Sequence, residues 1–276
     1  MSHFRTDLAE ESHLRHRATQ GFDHPGADLR RYHQGPFSVS DLRIATEEAA
    51  RALGKPCGRY LTASGSSPGL QDSLQIQSAA RALAPLLRQL LPAQGTVLVL
   101  GLGNRNITPD RLGSAVMEHL IVTRHLIREL PHTFGHLRPV CALAPGVLGI
   151  TGMETGEIAR ALVQRIRPAA VLAMDALCAA APERLCTSFQ FSDAGIAPGS
   201  GAGNHREALT AETLGVPVIA AGVPTVIAGG DENHPLLMTP TDIDLLLGKC
   251  ARILAYAADF ALLGDLSAEE LDAFLC

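Results

Sequence analysis

The chain has 276 residues, a formal net charge of −5, 46% hydrophobic residues and no Trp. The apolar content is sufficient for one large core, while the acidic balance and the lack of Trp argue against nucleic acid as a direct partner. Apolar runs stay below the ~18 residues of a membrane span and the N-terminus is too polar for a signal peptide, so we expect no membrane contact and a cytoplasmic protein.

The six cysteines form neither a Cys-x-x-Cys pair nor the spacing of a metal finger, and the chain has no His-Glu-x-x-His motif. In a chain without an export signal, these cysteines are expected to be reduced and mostly buried. Two Asp and a His could still hold a divalent ion, but the sequence contains no comparable ligand cluster. We therefore expect no cofactor and no resident metal.

Residues 1–37 are polar, rich in His and Arg, and interrupted by Pro and Gly. This composition predicts an extended arm followed by loose structure, and residues 38–276 are predicted to form a single α/β domain. Alternating apolar residues indicate strands over 38–44 and 58–63. A helix is predicted over 74–91, with Pro85 bending it or marking its true start.

An apolar run over residues 96–100 leads into Gly101-Leu-Gly-Asn104 and then into Thr108-Pro-Asp110. Pro fits the first helical position and Thr108 is a suitable N-cap, so we predict a strand, a loop and a helix. Asp110 then lies at the carboxyl end of a strand, where open α/β sheets bind ligands. Two other interpretations remain: a phosphate-binding glycine loop, or an acid that only complements the helix dipole.

The predicted helix continues past residue 110 and contains Arg124, a candidate for binding a carboxylate group. A second buried strand over 140–143 leads to a glycine-rich loop and to Glu154. Glu154 could be a third catalytic carboxylate, or it could form a capping box with Thr151. Asp193, in a later loop, is a candidate either for contact with the substrate or for capping of that loop.

Residues 168–175 form a third buried strand that ends at Asp175. Helical connections between such strands make them parallel, so Asp110 and Asp175 are expected to meet at one edge of the sheet. Two carboxyl groups at short range cannot both stay ionised, so one can activate water while the other donates a proton. Further along, a strand is predicted over 216–221, a long amphipathic helix from Thr239, and a short final helix from Ser267.

Eight separated segments together resemble the germination protease family, the spore endopeptidases that degrade small acid-soluble spore proteins. They are Phe4-Arg-Thr-Asp-Leu-Ala9, Gly101-Leu-Gly-Asn104, Thr108-Pro-Asp110, Thr123-Arg-His125, Ala144-Pro-Gly-Val-Leu-Gly-Ile-Thr-Gly-Met-Glu-Thr155, Met174-Asp-Ala-Leu177, Pro198-Gly-Ser-Gly-Ala-Gly-Asn204, and Leu214-Gly-Val-Pro-Val218 with Gly222-Val-Pro-Thr225. The resemblance implies a three-layer α/β fold with a twisted, mostly parallel sheet flanked by helices, similar to the hydrogenase-maturation endopeptidases.

The resemblance also implies that Asp110 and Asp175 are the catalytic pair of an atypical aspartic endopeptidase. Asn104, Arg124, Glu154 and Asp193 are then candidates for binding the substrate or supporting the pair. Residues 6–11 are similar to the acidic-hydrophobic-Ala-x-Glu sequence that the family cuts, which implies self-cleavage of a zymogen between Asp7 and Leu8. Residues 1–7 would form a propeptide shorter than the family usually has.

The implied substrates are small acid-soluble spore proteins, the implied location is the spore core of a spore-forming bacterium, and we expect a homo-oligomer. Two alternatives stay open. One is a maturation-type peptidase that uses a metal-loaded substrate at the same site. The other is a non-catalytic regulatory or phosphate-binding protein with the same fold.

Overall fold

The computed structural model describes residues 5–65, 73–197, 207–230 and 235–264. The helices of this part of the chain are α1 (Ala9–Gln20), α2 (Glu47–Leu53), α3 (Ser73–Arg88), α4 (Leu112–Met117), α5 (Arg124–Glu129), α6 (Pro131–Phe134), α7 (Leu148–Thr151), α8 (Thr155–Ile166), α9 (Ala211–Leu214) and α10 (Ile243–Leu263). The strands are β1 (Ala27–Gln34), β2 (Phe37–Ile44), β3 (Gly58–Ser64), β4 (Val97–Gly101), β5 (Val140–Leu143), β6 (Ala170–Ala179), β7 (Ser188–Ser192), β8 (Val218–Gly230) and β9 (Pro235–Met238).

All of these strands belong to one mixed sheet in the order β1-β2-β3-β7-β8-β6-β4-β5, with β9 paired to β8. The strands β8, β6, β4 and β5 pair in parallel. The strands β1, β2, β3 and β7 extend the sheet by antiparallel pairing, as does β9. The α/β class is therefore confirmed, with parallel pairing in the part of the sheet that holds Asp110 and Asp175 at its edge.

Alternate residues of β4 belong to two different hydrophobic cores, which defines three layers. Val97 and Val99 pack in a core with α3, α4 and α10, whereas Leu98 and Leu100 pack in a core with α8. Successive side chains of a strand point to opposite faces, so a strand that is apolar on both faces must be covered by helices on both. The continuous apolar runs in the sequence reflect this double burial.

The N-terminal region is folded, in contrast to the loose arm expected from its composition. Residues 9–20 form α1, and β1 pairs with β2 along its whole length, from Ala27 opposite Ile44 to Gln34 opposite Phe37. Ala9 and His13 of α1 are buried. The α1 sequence has almost no apolar periodicity, so contacts with other elements, and not an amphipathic pattern, determine that it is a helix.

The long helix expected after Asp110 is interrupted. A single 3-10 turn, Thr108–Asp110, precedes α4, and the chain leaves the helical path before α5 begins at Arg124. The Thr108 side chain does not cap this turn. Ile121 N–H donates to Asp259 of α10 over 3.1 Å, and Thr123 N–H donates to the carbonyl of Val140 over 3.0 Å. These long-range hydrogen bonds replace the local helical ones.

Other boundaries differ more modestly. The helix predicted over 74–91 ends at Arg88 and contains Pro85 within it, and β8 extends nine residues beyond the predicted strand, from 221 to 230. The predicted final helix from Ser267 lies outside the described residues. Across the parts of the chain that are described, none of the helices combines the length and apolar character required to cross a membrane.

Asp259 is a buried carboxyl group that makes folding sensitive to pH. It is 1% exposed, its Oδ1 accepts from Ile121 N–H, and its Oδ2 has no hydrogen-bond partner among the described residues. Burial raises the pKa of Asp259 well above its ordinary value, and the hydrogen bond from Ile121 opposes this shift. The folded state therefore binds more protons than the unfolded state between the two pKa values, and stability falls as pH rises through that interval.

We expect the Asp259→Asn variant to be more stable than the parent at pH 8 because Asn keeps an acceptor for Ile121 and cannot ionise. The free energies of unfolding of the two proteins should differ by roughly 1–3 kcal/mol at pH 8, which is the usual cost of leaving a buried polar group without a partner. The difference should shrink towards pH 4. Urea unfolding at several pH values measures it. A difference that does not depend on pH would contradict this account.

Candidate active site

Asp110 is held beside the carboxyl end of β4 by a tight loop. Its Oδ2 accepts from the backbone N–H of Asn104 over 2.7 Å. Gly103 has φ +96, and a Cβ at this position would overlap the carbonyl oxygen of Asp110. Only glycine combines this left-handed conformation with so close an approach of two backbone segments. The Gly-x-Gly pattern of the sequence therefore serves to bring Asp110 to the end of the strand.

Asp175 is 4% exposed and lies within β6, which continues to Ala179, so the prediction that the strand ends at Asp175 is wrong. Pairing with β8 extends the strand beyond this residue. Its Oδ1 accepts from the N–H of Ala176 over 2.9 Å. The preceding carbonyl, that of Met174, accepts from Leu102 N–H over 2.8 Å, so the chain just after β4 is bonded directly to β6. The Thr225 hydroxyl of β8 donates to the carbonyl of Pro109 over 2.7 Å, which fixes the turn that carries Asp110.

Asp110 and Asp175 line the same cavity, which has a volume of about 680 Å³. Asn104 also lines it, together with residues of β7 and β8 and the N-terminal segment. The two acidic side chains thus reach one space from the 3-10 turn that follows β4 and from the neighbouring parallel strand β6. This space is concave, has a largely apolar wall and contains a few converging polar groups, which is the usual character of a small-molecule or peptide site.

Part of the N-terminal segment lines this cavity: Arg5, Thr6 and Asp7 are lining residues, whereas Leu8, which follows the predicted cleavage point, is not. Asp7 N–H donates to the carbonyl of Cys178 over 2.7 Å, and Cys178 N–H donates to Asp7 Oδ2 over 2.8 Å. Leu8 is fully buried against Leu177 and Ala179. Asp7 and the Asp110–Asp175 pair are therefore lining residues of one cavity, and the chain at Asp7 runs alongside β6.

Burial shifts the pKa of three groups that line this cavity, the Lys55 ammonium, the Tyr60 hydroxyl, whose pKa is raised, and the Cys178 thiol. Burial lowers the pKa of Lys55, while the nearby charges of Asp7, Cys178 and Glu11 oppose that shift. The Lys55 ammonium donates to the carbonyl of Thr6 over 2.8 Å and so holds the N-terminal segment. Burial raises the pKa of the Cys178 thiol to about 11, so it is protonated near neutral pH and poorly suited to act as a nucleophile.

The other candidate residues do not line this cavity. Arg124 is exposed at the start of α5. Glu154 is the N-cap of α8 and forms a capping box with Glu157, so a capping role is observed with a different partner from the expected Thr151. Asp193 Oδ1 accepts from Arg59 N–H over 2.7 Å and lines a second, charged cavity.

Within the described residues, no group of three or more His, Cys, Asp or Glu side chains is arranged to hold a metal ion. His119 and His125, which follow Asp110 in the sequence, do not line the cavity, and His125 is exposed on α5. The acidic pair would have to recruit ligands from a substrate or from water to bind a metal at this site.

Sequence patterns did not identify Lys55 or Gln190, both of which line the cavity. Lys55 follows the end of α2, and Gln190 lies in the middle of β7. The rarity of lysine was a signal that could have pointed to Lys55, because the chain contains only two lysines, Lys55 and Lys249. Gln190 carries no charge and fits no motif, so only the pairing of β7 with its neighbours reveals its position.

The chain is similar in sequence to known peptidases. A family model described as germination protease matches residues 5–232. The germination protease of Clostridium perfringens strain ATCC 13124 is 36% identical over 325 aligned positions that cover 100% of both chains. The germination protease of Caldanaerobacter subterraneus is 44% identical over 228 positions, covering 81% of this chain and 69% of the relative.

A solved structure, the [NiFe] hydrogenase maturation protease HycI from Thermococcus kodakarensis, aligns with a TM-score of 0.38 and 18% identity, covering 64% of this chain and 98% of its own.

The α/β fold with Asp110 and Asp175 in one cavity, taken with the similarity to the germination proteases above, defines the protein as a peptidase. The chain belongs to the germination protease family.

Proposed function

We propose that the protein is an endopeptidase that hydrolyses small acid-soluble spore proteins during spore germination, with Asp110 and Asp175 as its catalytic pair. One observation carries the proposal. The two carboxyl groups line a single cavity with Asp7, which is the residue before the bond expected to be cut. The wall of this cavity therefore combines the two acids that peptide hydrolysis would use with the segment that precedes the expected cleavage point.

The proposed chemistry divides the work between the two carboxyl groups. The ionised member takes a proton from a water molecule, whose oxygen attacks the carbonyl carbon of the peptide bond. The protonated member gives its proton to the leaving nitrogen as the carbon–nitrogen bond breaks. Water is the only co-reactant, and the products are a new carboxyl group and a new amine. The reaction class is that of an atypical aspartic peptidase.

The N-terminal segment supports self-processing at the same site. Its backbone is bound to β6 through Asp7 and Cys178, and the Glu11 carboxylate accepts from the N–H groups of Ala180 and Ala181 over 2.8 and 3.1 Å. The carboxylates of Asp7 and Glu11, four residues apart, thus both accept hydrogen bonds from backbone N–H groups of β6 and the residues that follow it. We propose that residues 1–7 are a short propeptide released by cleavage between Asp7 and Leu8, and that a substrate binds with the same pattern.

We further propose that this peptidase acts as a homo-oligomer in the spore core and needs no metal. These points rest on the family resemblance. Light scattering of the purified full chain measures the oligomeric state, and chelation tests whether its activity needs a metal. Fractionation of spores tests the location.

The test is incubation of the full chain with a peptide that copies residues 2–14. We expect products that end at Asp7 and begin at Leu8, identified by mass spectrometry, and a lower rate for the same peptide carrying Asp7→Asn. Cleavage should continue at an unchanged rate in the presence of EDTA. Loss of cleavage on chelation, restored by added metal, would favour the metal-assisted alternative. No cleavage of the peptide or of a purified spore protein would overturn the proposed function.

A further inference from the structure

The Gln190 side chain contacts both sides of the Asp7–Leu8 peptide bond. Its Nε2 donates to the carbonyl oxygen of Asp7 over 3.1 Å, and its Oε1 accepts from the backbone N–H of Ala9 over 2.8 Å. The Asp7 carbonyl is the one that water would attack if the chain is cut at this bond. A single side-chain amide therefore spans the expected cleavage point.

The orientation of this amide follows from its partners. A backbone N–H can only donate, so the group that faces Ala9 must be Oε1, and a carbonyl can only accept, so the group that faces Asp7 must be Nε2. The Thr62 hydroxyl of β3 lies 3.4 Å from Oε1 and can donate to it. The structure thus aims the NH₂ group of Gln190 at the Asp7 carbonyl oxygen without ambiguity.

Gln190 is held in place by the sheet and is largely buried. It lies in β7, between β3 and β8, and pairs there with Thr62 on one side and Gly222 on the other. It is 7% exposed and lines the cavity with Asp110 and Asp175. A donor that is held in place before the reaction and is itself shielded from solvent stabilises developing negative charge more strongly than a donor in bulk water.

We propose that Gln190 is a catalytic residue that binds the carbonyl oxygen of the bond being cut and stabilises the negative charge that develops on it. The inference rests on the proposed function. It adds to the two carboxyl groups a fixed donor that faces the carbonyl oxygen. When water adds to the carbonyl carbon, the electron pair of the C=O double bond moves to the oxygen, and the Nε2–H group faces that oxygen. The electron pair forms the C=O double bond again when the carbon–nitrogen bond breaks.

The test compares Gln190→Glu and Gln190→Met with the parent, using the full chain and the peptide that copies residues 2–14. Ionised Glu keeps an acceptor for the Ala9 N–H and loses the donor, whereas Met loses both. We expect kcat to fall roughly 10²- to 10³-fold in both variants, the effect of removing one such donor in other peptidases. KM should change little for Gln190→Glu and rise for Gln190→Met. The control is Gln164→Met, at an exposed position of α8, for which kcat should equal that of the parent.

A second measurement uses the parent enzyme and so does not depend on the folding of a variant. In a peptide with N-methylalanine at the position of Ala9, the backbone cannot donate to Oε1, and we expect kcat/KM to fall at least about tenfold. A kcat within about twofold of the parent in a folded Gln190 variant would overturn the inference, as would equal cleavage of the two peptides. Both results would leave the proposed function intact. Failure of the parent to cut either peptide would overturn both.

Discussion

Replacing either acid of the cavity with its amide should abolish cleavage while leaving the fold intact. We expect Asp110→Asn and Asp175→Asn each to lower kcat by roughly 10³-fold or more, because each removes a group that carries a proton in the reaction. The Asp110→Asn change is not expected to disturb the loop, since the new amide oxygen can still accept from Asn104 N–H. Kinetics with the peptide that copies residues 2–14, together with thermal unfolding, measures both quantities.

The double variant should be no slower than the slower single variant. Residues that act as one unit give effects that do not multiply, because removal of either one already disables the unit. Asp244→Asn, at an exposed position in the first turn of α10, provides the matched control and should cleave at the parent rate. Normal cleavage by folded Asp110→Asn or Asp175→Asn would rule out the catalytic pair.

The Gly113→Ala variant should lose both stability and activity. A Cβ at Gly113 would overlap the backbone N and O of Leu102 and approach the carbonyl oxygen of Met174. These atoms belong to the segment after β4 and to β6, so α4 would have to move away from the sheet. We expect a loss of roughly 1–3 kcal/mol or more in unfolding free energy, the usual cost of overpacking a well-packed interior.

Activity should fall further than stability alone explains, because Asp110 lies directly before α4 and would move with it. A displacement of about 1 Å can cost on the order of 10²-fold in rate. Urea unfolding and peptide kinetics on the same sample separate the two effects. Gly248→Ala, within α10 and with no atom within 4 Å of the added Cβ, is the control and should be neutral or slightly stabilising. Parent-like stability of Gly113→Ala would contradict the close packing of α4 on the sheet.

The sequence predicted the centre of the fold well because burial on both faces leaves a clear pattern. The apolar runs at β4 and β6 are typical of doubly covered strands, and parallel strands with helical connections bring their carboxyl ends to one edge. That reasoning led to Asp110 and Asp175, which the structure brings to one cavity. The glycines of the loop after β4 form a visible sequence pattern. Only the structure shows that Gly103 allows the backbone to approach the carbonyl oxygen of Asp110.

Elements whose structure depends on distant partners were predicted less well. The α1 helix has no apolar periodicity, and the break after α4 depends on hydrogen bonds from Ile121 to Asp259 and from Thr123 to Val140. The long-range contacts outweigh the weak local preferences of these segments. Glu154 differs in kind: it was expected to complete a capping box begun by Thr151, whereas it is itself the N-cap of α8 and pairs with Glu157.

By itself, the sequence determined the α/β class and the central parallel strands, because hydrophobic burial and strand polarity act through short stretches of chain. It also indicated that Asp110, after β4, and Asp175, on β6, would lie near each other. Only the tertiary structure decided that Asp7 and Leu8 dock beside β6, and that Gln190, from a strand adjacent to β3 and β8, reaches the peptide bond between them. The physical reason is that a hydrogen bond between residues 183 positions apart leaves no periodic mark on either segment.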